Sequence, residues 1–455
     1  MRSEAPPITF DALLALPGAE ASQAFLDVTA FKGNPRLRPI WDEYRPWPKV
    51  SYIALDAGLN PVKVWHAVKA SRLALRQTLE LKQDSGRSFC VCASPLLSAA
   101  LHRIDRATGG GGAAALESTD GALSDEDHRQ RLRLKTLMDE AAESSIIEGA
   151  ATTRKNAVEM LRAGRSPRDK AERMVLNNYI AMQEIKRRLD RPLTTEMLIE
   201  LQALLTDGTN PPEERGRLRR PEEDVRVVDH RDDSTIFTPP PATDLPDRLR
   251  SLCDFANATH DGADFLHPLV KASMLHFMIG YEHPFVDGNG RTARAVFYWH
   301  ALKHGYTVFE YLSISEIIRK GFARYPQAYL DTEHDDGDLT YFVLYKLDVI
   351  EQALVRLTQH LRDEEGKVAR SQRMLKVAKD LNLRQRLLLE HMLRHPTTIY
   401  TVKSHANSNG ITLMTARADL DGLSRQRFVT KGKRGKETIY QPAPALQDRL
   451  SRKGI

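Results

Sequence analysis

Residues 283–294 read His-Pro-Phe-Val-Asp-Gly-Asn-Gly-Arg-Thr-Ala-Arg, and this stretch separates two runs with helical character. Pro284 disfavours helical backbone in the residue before it, so a helix arriving from the N-terminal side is predicted to stop here. His283 contributes an imidazole that titrates near neutrality. Gly288 and Gly290 can take backbone conformations closed to other residues, which lets successive N–H groups turn toward an anion at the start of the next helix. Arg291 and Arg294 are spaced i, i+3 and fall on one face of that helix, where guanidinium groups match phosphate oxygens. Asp287 alone would repel phosphate, and its predicted role is to hold a Mg²⁺ that bridges phosphate groups. The stretch is predicted to be an oligophosphate site between two helices.

The Fic family motif, His-Pro-Phe-x-Asp/Glu-Gly-Asn-Gly-Arg-x-x-Arg, is matched at every specified position from His283 to Arg294, and the chain resembles that family here. The resemblance implies a mainly α fold: a Fic-type helical core with a short β-hairpin flap. It also implies transfer of AMP from ATP, with Mg²⁺, to a Ser, Thr or Tyr hydroxyl of a target protein or of the chain itself, releasing pyrophosphate. On the matching positions His283 would accept the hydroxyl proton, and Asp287 would hold the metal. Gly288, Asn289 and Gly290 would steady the α-phosphate, Arg291 would meet the β-phosphate and Arg294 would orient the γ-phosphate. Some Fic relatives transfer another phosphate-containing group, phosphorylate their target or remove AMP, and those activities stay open. The non-enzyme alternative is a nucleotide-sensing, DNA-binding transcriptional regulator, against which the intact His283 argues.

Working outward, His267–Glu282 is apolar around most of its circumference, with Pro268 suited to a first turn, and is predicted to be a buried central helix that delivers His283. His267 and His276 read as capping or core residues, because no second cluster has metal-ligand spacing. A helix over 291–303 should carry both arginines. Upstream, Val225–Val228 and Thr235–Thr238 flank a polar turn and end at Pro239-Pro-Pro241, which predicts a short hairpin. In Fic proteins a hairpin flap at this place aligns an extended target segment by strand addition, and Ile236 and Phe237 are the candidate contacts. Ser144 and Glu148 lie i, i+4 before Gly149, a natural helix end. Beside the 283–294 motif this resembles the Ser/Thr-x-x-x-Glu-Gly/Asn inhibitory helix of regulated Fic proteins, and the resemblance implies pairing of Glu148 with Arg294 at the γ-phosphate position. Helices over 170–188 and 194–206, the second with Thr194 as N-cap, are predicted to be scaffold.

The 455 residues, 41% hydrophobic, suffice for about three domains with proper cores. We divide them into an N-terminal helical region with a Gly-rich linker (1–124), a Fic core (125–346), a helical linker (347–370) and a C-terminal domain (371–455). In the first, Pro61–Lys82 reads as helix and Phe89–Cys92 as a strand or buried segment, while the Gly-rich run 108–127 reads as a flexible connection. Later helices are expected over 314–324 and 340–361, with a charged stretch following at 362–373. Cys90, Cys92 and Cys253 lack zinc or disulfide spacing, the N-terminus lacks the apolar run of a signal peptide, and no stretch is apolar enough to span a bilayer. A reducing cytoplasm and no membrane partner are expected. Net charge is +6, yet 371–455 alone hold 17 Lys/Arg against 6 Asp/Glu. Helices over 383–394 and 411–424 around a shorter one near 400–406, followed by strand, basic Gly-rich turn and strand, have the order of a winged helix-turn-helix. Lys433, Arg434 and Lys436 are its candidate phosphate contacts on DNA. Protein interaction, including a homodimer, is the other role this domain leaves open.

Overall fold

A computed structural model describes residues 4–109, 126–229, 234–374, 381–395, 397–435, 437–444 and 446. The Gly-rich connection, the hairpin turn and Lys436 therefore lie largely or wholly outside the described residues. The described residues are mainly helical, with three small antiparallel sheets among them. It forms two compact units: 1–111 with 180–307 and 314–352, and 112–179 with 308–313 and 353–455.

In the first unit the helix Pro268–Glu282 is buried at every residue from Leu269 to Ile279. Pro268 sits in its first turn, where a missing N–H costs nothing, and His267 caps it by accepting from Leu269 N. It packs against the helix Asn289–Lys303, itself buried from Arg291 to Leu302. A helix wrapped this completely by other elements has no polar face to show water, which is why the stretch His267–Glu282 reads as apolar nearly all round. The scaffold helix Thr195–Leu205 packs on Asn289–Lys303, and Leu245–Asn257 packs on Pro268–Glu282. Thr194 caps the former as expected, its hydroxyl accepting from Met197 N.

The N-terminal region corrects one expectation. The helix read over Pro61–Lys82 ends at Leu73, and Arg76–Lys82 is instead a strand paired antiparallel with Ser88–Cys92. Leu79 and Leu81 alternate with exposed residues and bury on one face, a period-2 pattern too short to outweigh the helical run before it. Cys90 is bridged in parallel to Asp338, with Leu339 N donating to Cys90 O. Ion pairs join the same regions: Lys69, fully buried, meets Asp335 and Asp336, the latter at 2.9 Å, and Arg72 donates to the Tyr341 hydroxyl at 2.6 Å. Residues 1–106 are consequently part of one unit with the core. All three cysteines are free and buried, and burial pushes their thiols up, Cys92 to about 12 and Cys253 to about 11. They pack; they are not thiolates.

The second unit holds the helices Glu126–Ile147 and Arg154–Ala163, tied by a two-pronged Arg154–Asp139 pair at 2.9 and 2.6 Å. The helix read over 340–361 runs on to Met374, through the charged stretch. At the C-terminus the order is helix Leu383–Arg394, strand Tyr400–Thr401, helix Val402–Asn409, helix Leu413–Arg425 and strands Val429–Arg434 and Glu437–Pro442. The last strand lies between the other two. Leu389, Met392, Tyr400, Leu420, Leu423, Phe428 and Tyr440 form its core. Burial pushes the Asp419 carboxyl up, but hydrogen bonds from His405, Arg384 and Asn382 outweigh it and hold the group at about 2. Val402–Asn409 packs on the unit's other helices: Gln130 donates to Gly410 O at 3.0 Å, Arg162 to Ser408 Oγ at 2.6 Å and Lys403 to Gly164 O at 2.7 Å.

The Lys69 cluster is directly testable. Breaking a buried ion pair costs about 3–5 kcal/mol, so Lys69→Met should lower the urea midpoint of the first unit strongly. Arg38→Ala, at the exposed pair with Asp42, should shift stability by no more than about 0.5 kcal/mol.

Candidate active site

The connection 283–288 is short, and its conformation is set at both ends. His283 closes the helix Pro268–Glu282 in the left-handed region, φ 46° and ψ 55°, its N–H bonding to Ile279 O at 3.1 Å. A non-glycine residue rarely rests there, and such outliers concentrate at functional sites. Gly288, φ 91°, opens the next helix with no side-chain cap. The first-turn N–H groups of Asn289, Gly290 and Arg291 thus lie outside the helical ladder, at its positive end.

His283 is half-buried, and its Nδ1 lies 3.2 Å from Gly280 O. A carbonyl only accepts, so Nδ1 carries the proton and the lone pair sits on Nε2. Its ring is therefore arranged as a base at one nitrogen.

Asn289, 3% exposed, clasps the backbone of Phe285: Oδ1 accepts from Phe285 N at 2.9 Å and Nδ2 donates to Phe285 O at 2.8 Å. Arg291 is fully buried and donates to Leu205 O at 2.8 Å and to Asp287 Oδ2 at 3.0 Å. The other oxygen of Asp287 accepts from Gly288 N at 2.6 Å, and the carboxylate keeps 39% of its surface exposed. Gln202 on the scaffold helix donates to Asp287 O and accepts from Gly216 N. Arg294 is buried on the inner side of its helix. Burial, then the charges of Lys346 and Arg294, depress the buried His276 well below the ordinary histidine range, so it is a neutral core residue, 2.8 Å from the Tyr325 hydroxyl. Within the loop only His283, Val286, Asp287 and Gly290 are partly exposed from 283 to 294. Base, carboxylate and helix start thus share one open rim above buried cations.

The hairpin forms from Val227–Asp229 and Ser234–Phe237, with Val227 opposite Phe237. Ile236 is half-buried, and the Phe237 ring packs 5.2 Å from that of Tyr281, two residues before the base. The second unit carries the other sequence-derived candidates. Ser144 is buried near the end of Glu126–Ile147, Glu148 follows in a turn and Gly149 is left-handed at φ 88°. Lys433 and Arg434 are exposed on the strand Val429–Arg434.

Residues that the motif alone does not announce include Gln202 and Arg219. Arg219, 7% exposed, donates through Nε to His283 O at 2.8 Å and through a terminal nitrogen to Glu282 O at 3.3 Å and to Pro240 O. Its own N–H bonds to Pro284 O at 2.8 Å. Burial pushes its guanidinium down, partly offset by Glu282. The Glu282 carboxylate is itself held by Arg248 at 2.6 and 3.0 Å. The signal in the sequence is the cation-rich run 216–220, upstream of the hairpin.

Among solved structures, a Fic family protein from Desulfovibrio desulfuricans G20 is similar at 18% identity and a TM-score of 0.48, over 77% of this chain and 96% of that one. A curated relative from Nematostella vectensis named protein adenylyltransferase Fic is 34% identical over 102 residues, 22% of this chain and 21% of that protein. One of the same name from Drosophila virilis is 31% identical over 134 residues, 29% of this chain and 25% of that protein. The chain thus spans about a fifth to a quarter of the length of these relatives. A family model described as Fic/DOC family matches residues 192–301, which takes in the scaffold helix, the hairpin, both buried helices and the whole loop. The likeness to the Fic/DOC family thus lies in the segment 192–301.

Proposed function

We propose that this protein transfers AMP from ATP to a hydroxyl of a protein target or of itself. The observation that carries the reading is the left-handed, partly exposed His283, its Nδ1 3.2 Å from Gly280 O, beside an uncapped helix start. The target oxygen attacks the α-phosphorus as its proton passes to Nε2. The bond from that phosphorus to the bridging oxygen breaks, and pyrophosphate leaves. Transfer of this kind rests on positioning and charge stabilisation, not on a covalent enzyme intermediate. The first-turn N–H groups at Gly290 and its neighbours face the phosphate oxygens, and Arg294 orients the terminal phosphate. Arg291 serves them through Asp287, whose carboxylate it aligns.

The residues fit a Mg²⁺: Asp287 offers one hard oxygen donor group, partly exposed, and each oxygen retains a lone pair beyond its present bond. Mg²⁺ is held in this way, by one or two carboxylates plus substrate phosphates; when bound it supplies charge neutralisation between phosphates. The hairpin supports docking of an extended target segment by strand addition, with Ile236 as the nearer contact, since Phe237 is packed on Tyr281.

Two variants test the chemistry. His283→Ala should reduce the transfer rate by about 10²–10⁴-fold while nucleotide affinity stays near wild type, because the imidazole acts on the hydroxyl. Transfer from α-labelled ATP beside a nucleotide titration reads both; a near-wild-type rate removes His283 from the mechanism. For regulation, we propose that Glu148 restrains Arg294. These residues stand in different compact units, so the resemblance and its test carry the pairing. Glu148→Gly should raise the initial rate well above wild type, Ser144→Ala should raise it less, and adding Arg294→Ala to Glu148→Gly should abolish the gain. A Glu148→Gly rate no higher than wild type ends the inhibitory assignment.

A second reading concerns 371–455. The helix, strand, helix, helix, strand, strand order with the last strand in the middle, and cations exposed on Val429–Arg434, support a winged helix that binds DNA. In the full chain, Lys433→Ala with Arg434→Ala should weaken binding to genomic fragments roughly uniformly and flatten its salt dependence. Absence of binding by the wild type at low salt favours the protein-interaction role.

A further inference from the structure

The end of the helix Pro268–Glu282 poses a problem that its own backbone cannot solve. A helix that closes on a left-handed residue can do so with a single N–H bond from that residue, as His283 N makes to Ile279 O. Pro284, lacking an N–H, adds no second one. The carbonyls of Glu282, His283 and Pro284 lie beyond that bond and get no helical donor, and the helix presents its negative pole there.

Arg219 meets these later carbonyls from another part of the chain. Its guanidinium donates to Glu282 O and His283 O, and its backbone N–H donates to Pro284 O, so three successive carbonyls are held by one residue. The same guanidinium reaches Pro240 O, just beyond the hairpin strand Ser234–Phe237. The Glu282 carboxylate is not its hydrogen-bond partner, being engaged by Arg248. A buried cation surrounded by carbonyl oxygens is well placed to fix backbone, since each of its N–H directions specifies where one oxygen must lie.

We propose that Arg219 is a positioning residue: it supplies donors to the carbonyls beyond the helix end, holds His283 in its left-handed conformation, and ties that conformation to the base of the hairpin. The catalytic consequence rests on the transfer reading above; the geometric one does not. Loss of the guanidinium lets the 283–284 peptide rotate, and the Nδ1 contact to Gly280 O goes with it. Lysine is not an adequate substitute, because a single ammonium cannot span the three oxygens that the fork reaches.

The test uses Arg219→Lys and Arg219→Gln in the full chain, each in the wild-type and Glu148→Gly backgrounds. Ring-nitrogen chemical shifts of labelled histidine report the His283 tautomer, assigned by loss of its signals in His283→Ala. Wild type should show the Nδ1–H form, and both variants a mixture. Turnover at saturating ATP should fall by about 10²-fold, as misplacement by about 1 Å can cost that much, with nucleotide affinity within about twofold and a cooperative melting transition retained. Folded variants that keep the wild-type tautomer and turn over within about twofold of wild type overturn the proposal. Loss of cooperative melting in both variants also overturns it, assigning Arg219 to folding alone. If wild type transfers no nucleotide, the transfer reading fails, and the tautomer measurement still decides the role of Arg219.

Discussion

A helix that must end on a left-handed histidine and continue into proline is the constraint on which this site depends. The histidine turns the chain sharply, and the proline prevents the helix from continuing. The turn leaves the carbonyls of Glu282, His283 and Pro284 beyond the helical ladder at a negative pole, and the fold brings Arg219 to them. The strain at His283, φ 46°, is tolerated because its neighbours over-determine it from several directions: Ile279 and Gly280 before it, Arg219 across from it and Asn289 after it. Strain held this way is a means of fixing a side chain that must not relax.

The loop beyond is stiffened by the same economy of donors. Asn289 uses both ends of its amide on the N–H and C=O of one residue, Phe285; Gln202 bridges the loop to Gly216, and Arg291 spends its guanidinium on Leu205 O and Asp287. Asn289 and Arg291 look like ligand contacts in the sequence, yet here they bond to Phe285, Leu205 and Asp287. The partly exposed residues of the loop are His283, Val286, Asp287 and Gly290. Arginines buried beneath contribute positive potential in a low-dielectric setting, where charge is felt more strongly than at the surface.

Surrounding elements reach the site through buried polar contacts as well as apolar packing. Lys69, Arg72, Asp335, Asp336 and Tyr341 form a cluster between the N-terminal helices and the segment 335–341. Phe89 stacks edgewise on Phe277 and Tyr281, so the N-terminal hairpin also supports the end of the helix that carries His283. In the second unit the helix Val402–Asn409 is committed to Glu126–Ile147 and Arg154–Ala163, while Leu413–Arg425 keeps Met414 and Arg417 exposed.

The sequence by itself determined the nature of the site. Twelve consecutive positions from His283 to Arg294 carry their meaning in chemistry that is local: a proline that stops a helix, glycines that permit a turn, residues spaced to share a helix face. Thr194 as N-cap, Pro268 in a first turn and the apolar helix that ends at Glu282 were legible for the same reason, since each depends on neighbours within one or two turns. Only the tertiary structure decided what depends on distant partners. Arg76–Lys82 became a strand because Ser88–Cys92, and beyond it Asp338, were there to pair with. Arg219 lies 64 residues from His283 in sequence, and nothing in its own neighbourhood says which carbonyls it will meet. Local spacing writes the list of reactive groups, but the hydrogen bonds that hold them in a reactive arrangement are long-range, and those are settled only when the chain closes on itself.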